Sequence, residues 1–142
     1  MNSTNKALVR RKFDELISTW NLAVIDELVS DDVVSYDPAF PEPVRGKAAY
    51  RAVCEEFAKV FPELHITIEE QIADGDTVVT RWSATGRQGG ELFGVPATGK
   101  QVSFTGVDIH RVLDGKIIEE HGQWDTLGLM RQLGVVGEQK SW

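Results

Sequence analysis

The chain has 142 residues, 42% of them hydrophobic and 26% charged, enough for one globular domain with a real core. Lysine and arginine number 15 against 22 aspartates and glutamates, a formal net charge of −7, and such a surface is repelled by phosphate backbones, so no nucleic-acid partner is expected. No apolar run approaches the roughly 20 residues of a membrane span, and the polar stretch from Met1 to Arg11 does not read as a signal peptide, so no membrane association and a cytoplasmic location are expected.

The first third of the chain reads as helix. Ser3 or Thr4 can cap a segment reaching about Trp20, because Val9, Phe13, Leu16, Ile17 and Trp20 recur at helical spacing on one face. A short second helix spans about Ala23 to Val29, and a short strand follows at Val33 to Tyr36. Asp37-Pro38 breaks that strand, and Pro41 and Pro43 keep the next stretch irregular. A third helix covers about Lys47 to Phe61, with Tyr50, Val53, Cys54, Phe57 and Phe61 as its apolar stripe. The lone cysteine therefore reads as a small core residue.

From Leu64 the period changes to two. Strands are expected at His65 to Ala73 and Thr77 to Thr85, joined by the turn Asp74-Gly75-Asp76. Gly86 to Lys100 reads as a glycine-rich loop without the spacing of a phosphate cradle. Strands at Val102 to Leu113 and Lys116 to Asp125 flank Asp114-Gly115, a two-residue hairpin signal. A helical turn from Leu127 to Leu133 closes the pattern. Helices first and antiparallel strands afterwards predict a single α+β domain over 1–142, with the helices packed in a curved sheet. Its concave mouth suits a small hydrophobic ligand.

The hairpin permits a facing assignment. A turn that pairs Leu113 with Lys116 sets His110 opposite Glu119, Asp108 opposite His121 and Phe104 opposite Asp125. One face then carries Asp108, His110, Glu119, His121, Gln123 and Asp125, and a bulge anywhere in the hairpin would flip part of it. If that face lines the cone, carboxylates and histidines among apolar walls gain the shifted proton affinities of acid/base catalysts; if it faces water, its charges merely satisfy one another. Tyr36 and Asp37 are candidates to reach the same cavity, with a turn-capping role for Asp37 as the alternative. Trp20, Trp82 and Trp124 are candidate aromatic walls. No metal is assigned, because the two histidines and two acids match no ligand spacing such as HExxH.

Several stretches resemble the SnoaL-like polyketide cyclases, also called ester cyclases, of the nuclear transport factor 2-like superfamily. They are Phe61-Pro62-Glu63-Leu64-His65, the run Asp74 to Trp82, and Gly94-Val95-Pro96-Ala97-Thr98-Gly99-Lys100. At the end come Asp114-Gly115-Lys116-Ile117, Glu119, Trp124-Asp125 and Leu127 to Gly134. The resemblance implies an α+β cone, usually a homodimer through the sheet. It implies an aspartate that closes a polyketide ester ring by intramolecular aldol reaction without metal or organic cofactor. Asp125 matches that aspartate and His110 the assisting histidine. The chain departs at Gly86-Arg87-Gln88, where relatives have Gly-Thr-His, and at His121, where a tryptophan is common.

The expected function is thus acid/base chemistry on a hydrophobic carbonyl compound, by cyclisation or isomerisation. Asp125 is the expected base, His110 or His121 the donor to the enolate oxygen, and Tyr36, Asp37, Trp82, Asp108, Gln123, Phe104 and Trp20 the substrate contacts. A hydrolase or dehydratase on the same scaffold, and a non-catalytic ligand-binding dimer module, are the alternatives.

Overall fold

The apolar stripe at the start of the chain forms helix, but not one regular helix. The structure, a computed structural model, describes residues 2–137. Helix α1 (Asn2–Arg11) runs directly into a π-helical turn at Lys12–Ile17, where the Ser18 N–H donates to the Phe13 carbonyl at 3.0 Å. The wider turn admits one extra residue, so Val9, Lys12, Phe13 and Leu16 are all buried on one side. A 3₁₀ turn (Leu22–Val24) leads into α2 (Ile25–Leu28) and strand β1 (Val29–Tyr36). The proline stretch, expected to be irregular, contains the short strand β2 (Val44–Arg45). Helix α3 (Lys47–Val60) ends one residue before the predicted limit.

Strands β3 (Leu64–Asp74), β4 (Thr77–Arg87), β5 (Gln101–Leu113) and β6 (Lys116–Trp124) follow, and α4 (Thr126–Gln132) ends the fold. The six strands make one sheet in the order β2-β1-β6-β5-β4-β3. All neighbours are antiparallel except β1 and β6, which run parallel; β2, helix α3 and the strands β3 to β5 separate them in sequence. Helix α1 packs on β3 and β4, and α3 on β1 and β2, so the sheet curves around both helices. The fold class is the α+β cone expected from the sequence. Phe13, Leu16, Ile25, Leu28 and Ile117 are fully or almost fully buried between the layers, each contributing about 1.5–3 kcal/mol by leaving water.

The β5–β6 register overturns the facing assignment. Leu113 pairs with Lys116 and Val112 with Ile117 as expected, through a turn in which Asp114 and Gly115 take φ of 52° and 73°. Ile118 is then a bulge: Arg111 pairs with Glu119, His110 with Glu120, Ile109 with His121 and Asp108 with Gly122. One extra residue moves every later β6 side chain to the opposite face. Glu120, Gly122 and Trp124 face the helices, while Glu119, His121 and Gln123 face outward.

Close packing at Gly106 supports this arrangement. A Cβ there would collide with the Trp82 ring and lie 2.9 Å from the Gln123 carbonyl oxygen, so only glycine lets the indole cross the strand. Gly106→Ala is expected to lower stability by about 1–3 kcal/mol through overpacking, measured by urea denaturation. An unchanged midpoint would show that Trp82 is not pressed against this strand.

Candidate active site

The inner face of the cone is not uniformly apolar. Phe13, Trp20, Phe57, Phe61, Phe104 and Trp124 help to wall a cavity of about 140 Å³ between the helices and the sheet. Its polar lining comprises Lys12, Ser35, Asp37, Tyr50, Asp108 and Glu120, drawn from the π-turn, β1 and its end, α3, β5 and β6.

Glu120 has the most polar partners of these groups. It accepts from the Tyr50 hydroxyl at 2.7 Å and from the Ser35 hydroxyl at 3.1 Å. The Lys12 ammonium is 3.0 Å away, and His110 Nε2 is 3.1 Å away. Burial alone would raise the Glu120 proton affinity. The Lys12 charge, the His110 ring and these hydrogen bonds outweigh it and hold the carboxyl far below the usual range. Burial likewise acts against the Lys12 ammonium, yet the charges of Glu120 and Asp108 raise its pKa above the ordinary value. Burial followed by the Glu120 charge pushes the Tyr50 phenol well up, so it stays a donor. Lys12 Nζ also lies 2.9 Å from His110 Nε2. That nitrogen either accepts from Lys12 or donates to Glu120, and His110 Nδ1 has no hydrogen-bond partner among the described residues.

Two aspartates form a second polar centre beside the first. Asp108 accepts from the Trp82 indole N–H at 3.1 Å, and its other oxygen lies 3.7 Å from Lys12 Nζ. Asp37 accepts on Oδ1 from the Trp124 indole at 3.1 Å and from the Ala39 backbone at 2.8 Å. A Cβ at Gly122 would lie 3.2 Å from Asp108 Oδ1 and 3.8 Å from Asp37 Oδ2, so both carboxyls lean over a strand position without a side chain. Burial raises the Asp37 pKa above its usual value against the pull of its two hydrogen bonds. Burial also pushes the Cys54 thiol on the cavity wall up to about 12, so it stays protonated.

The expected trio does not converge. His110 is fully buried behind Lys12. His121 is exposed on the outer face, stacked on Tyr36 with ring centroids 4.4 Å apart, and its Nε2 lies 3.1 Å from Glu119 Oε2. Asp125 is exposed and caps α4, accepting from the Gly128 N–H at 2.8 Å; Gln123 is exposed beside it. The bulge at Ile118 is the reason that His121 and Gln123, and Asp125 after them, leave the inner face. Tyr36 is turned outward with His121, whereas Asp37, Asp108, Trp82, Phe104 and Trp20 do line the cavity.

Sequence reasoning missed Lys12, Glu120, Tyr50 and Ser35 as site groups. Lys12 had a legible signal, since a lysine between Val9 and Leu16 interrupts an apolar stripe. Glu120 had none without the bulge.

The sequence profile of the SnoaL-like polyketide cyclases matches residues 7–133. The chain belongs to this family. The SnoaL-like chain is 33% identical over 138 residues to the aklanonic acid methyl ester cyclase DnrD of Streptomyces peucetius, covering 93% of this chain and 92% of that one. It is also similar to a protein of known structure from Jannaschia sp. CCS1, assigned to the SnoaL-like cyclases, with TM-score 0.88, 27% identity and coverage of 95% and 94%. TsrD of Streptomyces laurentii superposes with TM-score 0.84 at 27% identity, covering 96% of this chain and 98% of that one. No helix among the described residues is long and apolar enough to cross a membrane.

For this SnoaL-like cavity the ion pair sets the pH range of stability. Glu120, held low when folded, contributes stability that is present above its unfolded value of 4.5 and is lost as pH falls below it. Lys12, held high, contributes stability that is present below 10.5 and is lost as pH rises through its folded value. Lys12→Met, which leaves Glu120 buried without its cation, is expected to cost about 3–5 kcal/mol at neutral pH. Because Glu120 can be protonated in acid, the penalty should shrink as pH falls. Chemical denaturation across that range measures it, and a penalty independent of pH would contradict the assignment.

Proposed function

We propose that this protein is a cofactor-free acid/base enzyme of polyketide-cyclase type that closes a ring within a hydrophobic carbonyl compound by intramolecular aldol reaction, with Asp37 as the proton-transfer group. The observation that carries this reading is a half-buried carboxyl of raised proton affinity in an aromatic cavity. Both of its hydrogen bonds fall on Oδ1, so Oδ2 is the oxygen available to the substrate.

In the proposed reaction Asp37 Oδ2 takes a proton from the carbon beside a carbonyl, leaving an enolate. The enolate carbon attacks a second carbonyl of the same molecule, forming the ring bond. The resulting alkoxide takes the proton back from Asp37 and becomes a hydroxyl. Atoms balance without water or a cofactor, and the carboxylate is regenerated. An aspartate raised by burial is a stronger base than one in water. The aromatic walls hold the two carbonyls at reacting distance and keep water from the enolate. The similarity to the aklanonic acid methyl ester cyclases makes aklanonic acid methyl ester the first compound to assay.

We also infer that two copies associate through the outer face of the sheet. Ile72, Val79, Ile109, His121 and Tyr36 lie in one row of paired positions across five strands. Ile72 is 58% and Ile109 40% exposed, and a second copy of the same row would cover them. Ile109→Lys is expected to convert the dimer to a monomer in light scattering; a wild-type chain that is monomeric at micromolar concentration would refute the association.

Asp37→Asn is expected to lower kcat on aklanonic acid methyl ester about 10²-fold or more, with the fold retained. Asp125→Asn, which preserves the cap on α4, should stay within about threefold of wild type, the scale of a change outside the chemistry. The wild-type rate should rise with pH through a midpoint above 3.8, the ordinary aspartate value, because the base form is the active one. The opposite ranking of the two variants would move the chemistry to Asp125.

A further inference from the structure

We propose that Lys12 is the electrophile of this cavity: its ammonium binds the oxygen that becomes negative when the substrate enolises. The proposal rests on the acid/base reading of the same cavity and adds a group that neither the sequence motifs nor the comparisons assign. An ammonium carries three N–H donors. Those of Lys12 face Glu120 Oε1 at 3.0 Å, His110 Nε2 at 2.9 Å and Asp108 Oδ2 at 3.7 Å. The last separation is too long for a hydrogen bond. A substrate oxygen reaching Lys12 from the cavity would therefore take up an under-used donor rather than break an existing bond.

Three further observations support this placement. Lys12 lines the cavity while its side chain is only 8% exposed, so its charge acts through little water. It opens the π-helical turn, an irregularity that turns it inward from a helix whose other charged residues are outside, and such turns recur at functional sites. Asp37 and Asp108 both approach Gly122, and Asp37, Asp108 and Lys12 line the same cavity, so base and ammonium share one polar floor. Proton transfer to Asp37 then moves negative charge along this floor toward Lys12, and the total charge of the cavity is unchanged. Preorganised cations aimed at developing oxyanions contribute more than most single groups to such reactions.

Glu120, Tyr50, Ser35 and His110 are positioning residues in this scheme. They hold Lys12 charged and fixed, and they do not touch the substrate oxygen. Glu120 also partly neutralises Lys12, and Asp108 remains beside the ammonium to keep it charged, so removing the Glu120 charge should strengthen the electrophile, whereas removing both charges should abolish it. A merely structural ion pair would respond alike to both changes.

The test uses 1-naphthol, a planar phenol whose neutral and ionised forms absorb at different wavelengths, as a stand-in for enol and enolate. On ionisation in the cavity its proton passes through Asp37 to solvent. The full-length wild type, Glu120→Gln and the double variant Lys12→Met/Glu120→Gln are compared, each first shown by thermal melting to be folded. The double variant keeps a neutral pair and avoids the stranded carboxylate of Lys12→Met alone. Wild type should raise the ionised fraction of bound naphthol above that of free naphthol at the same pH. Glu120→Gln should raise it further, and the double variant should lower it roughly tenfold from Glu120→Gln, about one pKa unit. Equal ionised fractions in the two variants, or a wild type that takes naphthol only in neutral form or not at all, would overturn the proposal. If ionisation follows Lys12 but wild type neither cyclises aklanonic acid methyl ester nor exchanges its α-protons with deuterated solvent, the anion-binding role of Lys12 stands and the cyclase reading fails.

Discussion

The structure depends on one buried pair of opposite charges. Lys12 reaches in from the π-turn and Glu120 from β6, and they meet at 3.0 Å inside the cone. An ion pair removed from water costs more than it returns unless hydrogen bonds complete it. Here Tyr50 from α3 and Ser35 from β1 donate to the same carboxylate, so four elements are tied to one group. That tie opposes the collapse of the cone around its cavity. A purely apolar interior could tighten until the space closed, whereas charges with fixed partners hold the walls at a set separation.

The same pair divides the polar lining of the cavity in two. Charge at its inner end is internally balanced between Lys12 and Glu120, while Asp37 and Asp108 lie nearer the aromatic walls, each fixed by an indole N–H. The tryptophans therefore serve two purposes at once. Their ring surfaces face an apolar guest, and their single donors orient the carboxyls that would act on it. The division between a wet-like polar floor and dry walls is what shifts the Asp37 proton affinity, and it arises from elements far apart in the chain.

Much of this was legible in the sequence, for definite reasons. Helical spacing in the first third and alternation after Leu64 are local signals, and the Asp114-Gly115 turn is a strong one, so the cone and most of its strand limits could be read directly. Asp37, Asp108, Trp20, Trp82 and Phe104 line the cavity; alternation pointed to Asp108 and Phe104 and helical spacing to Trp20. His121, Gln123 and Asp125 do not line it, because an alternating pattern reports only relative parity along a strand and the bulge at Ile118 resets it. No residue type announces that bulge: isoleucine is an ordinary strand former. Tyr36, paired with His121, points outward, while its neighbour Asp37 reaches the cavity. Glu120 was hidden by the same shift, and Lys12 by reading an apolar stripe without asking why a charge stood within it.

The bulge has a wider consequence for how this cavity can diversify. In most enzymes a new polar group arrives by exchanging one amino acid for another at a fixed position. In β6, chain length alone decides whether Glu119, His121 and Gln123 or Glu120, Gly122 and Trp124 confront the bound molecule. An insertion or deletion of a single codon before Glu119 would present a wholly different reagent set while leaving the composition of the strand almost untouched. Relatives aligned without gaps through this strand can therefore carry matching letters whose side chains lie on opposite sides of the sheet.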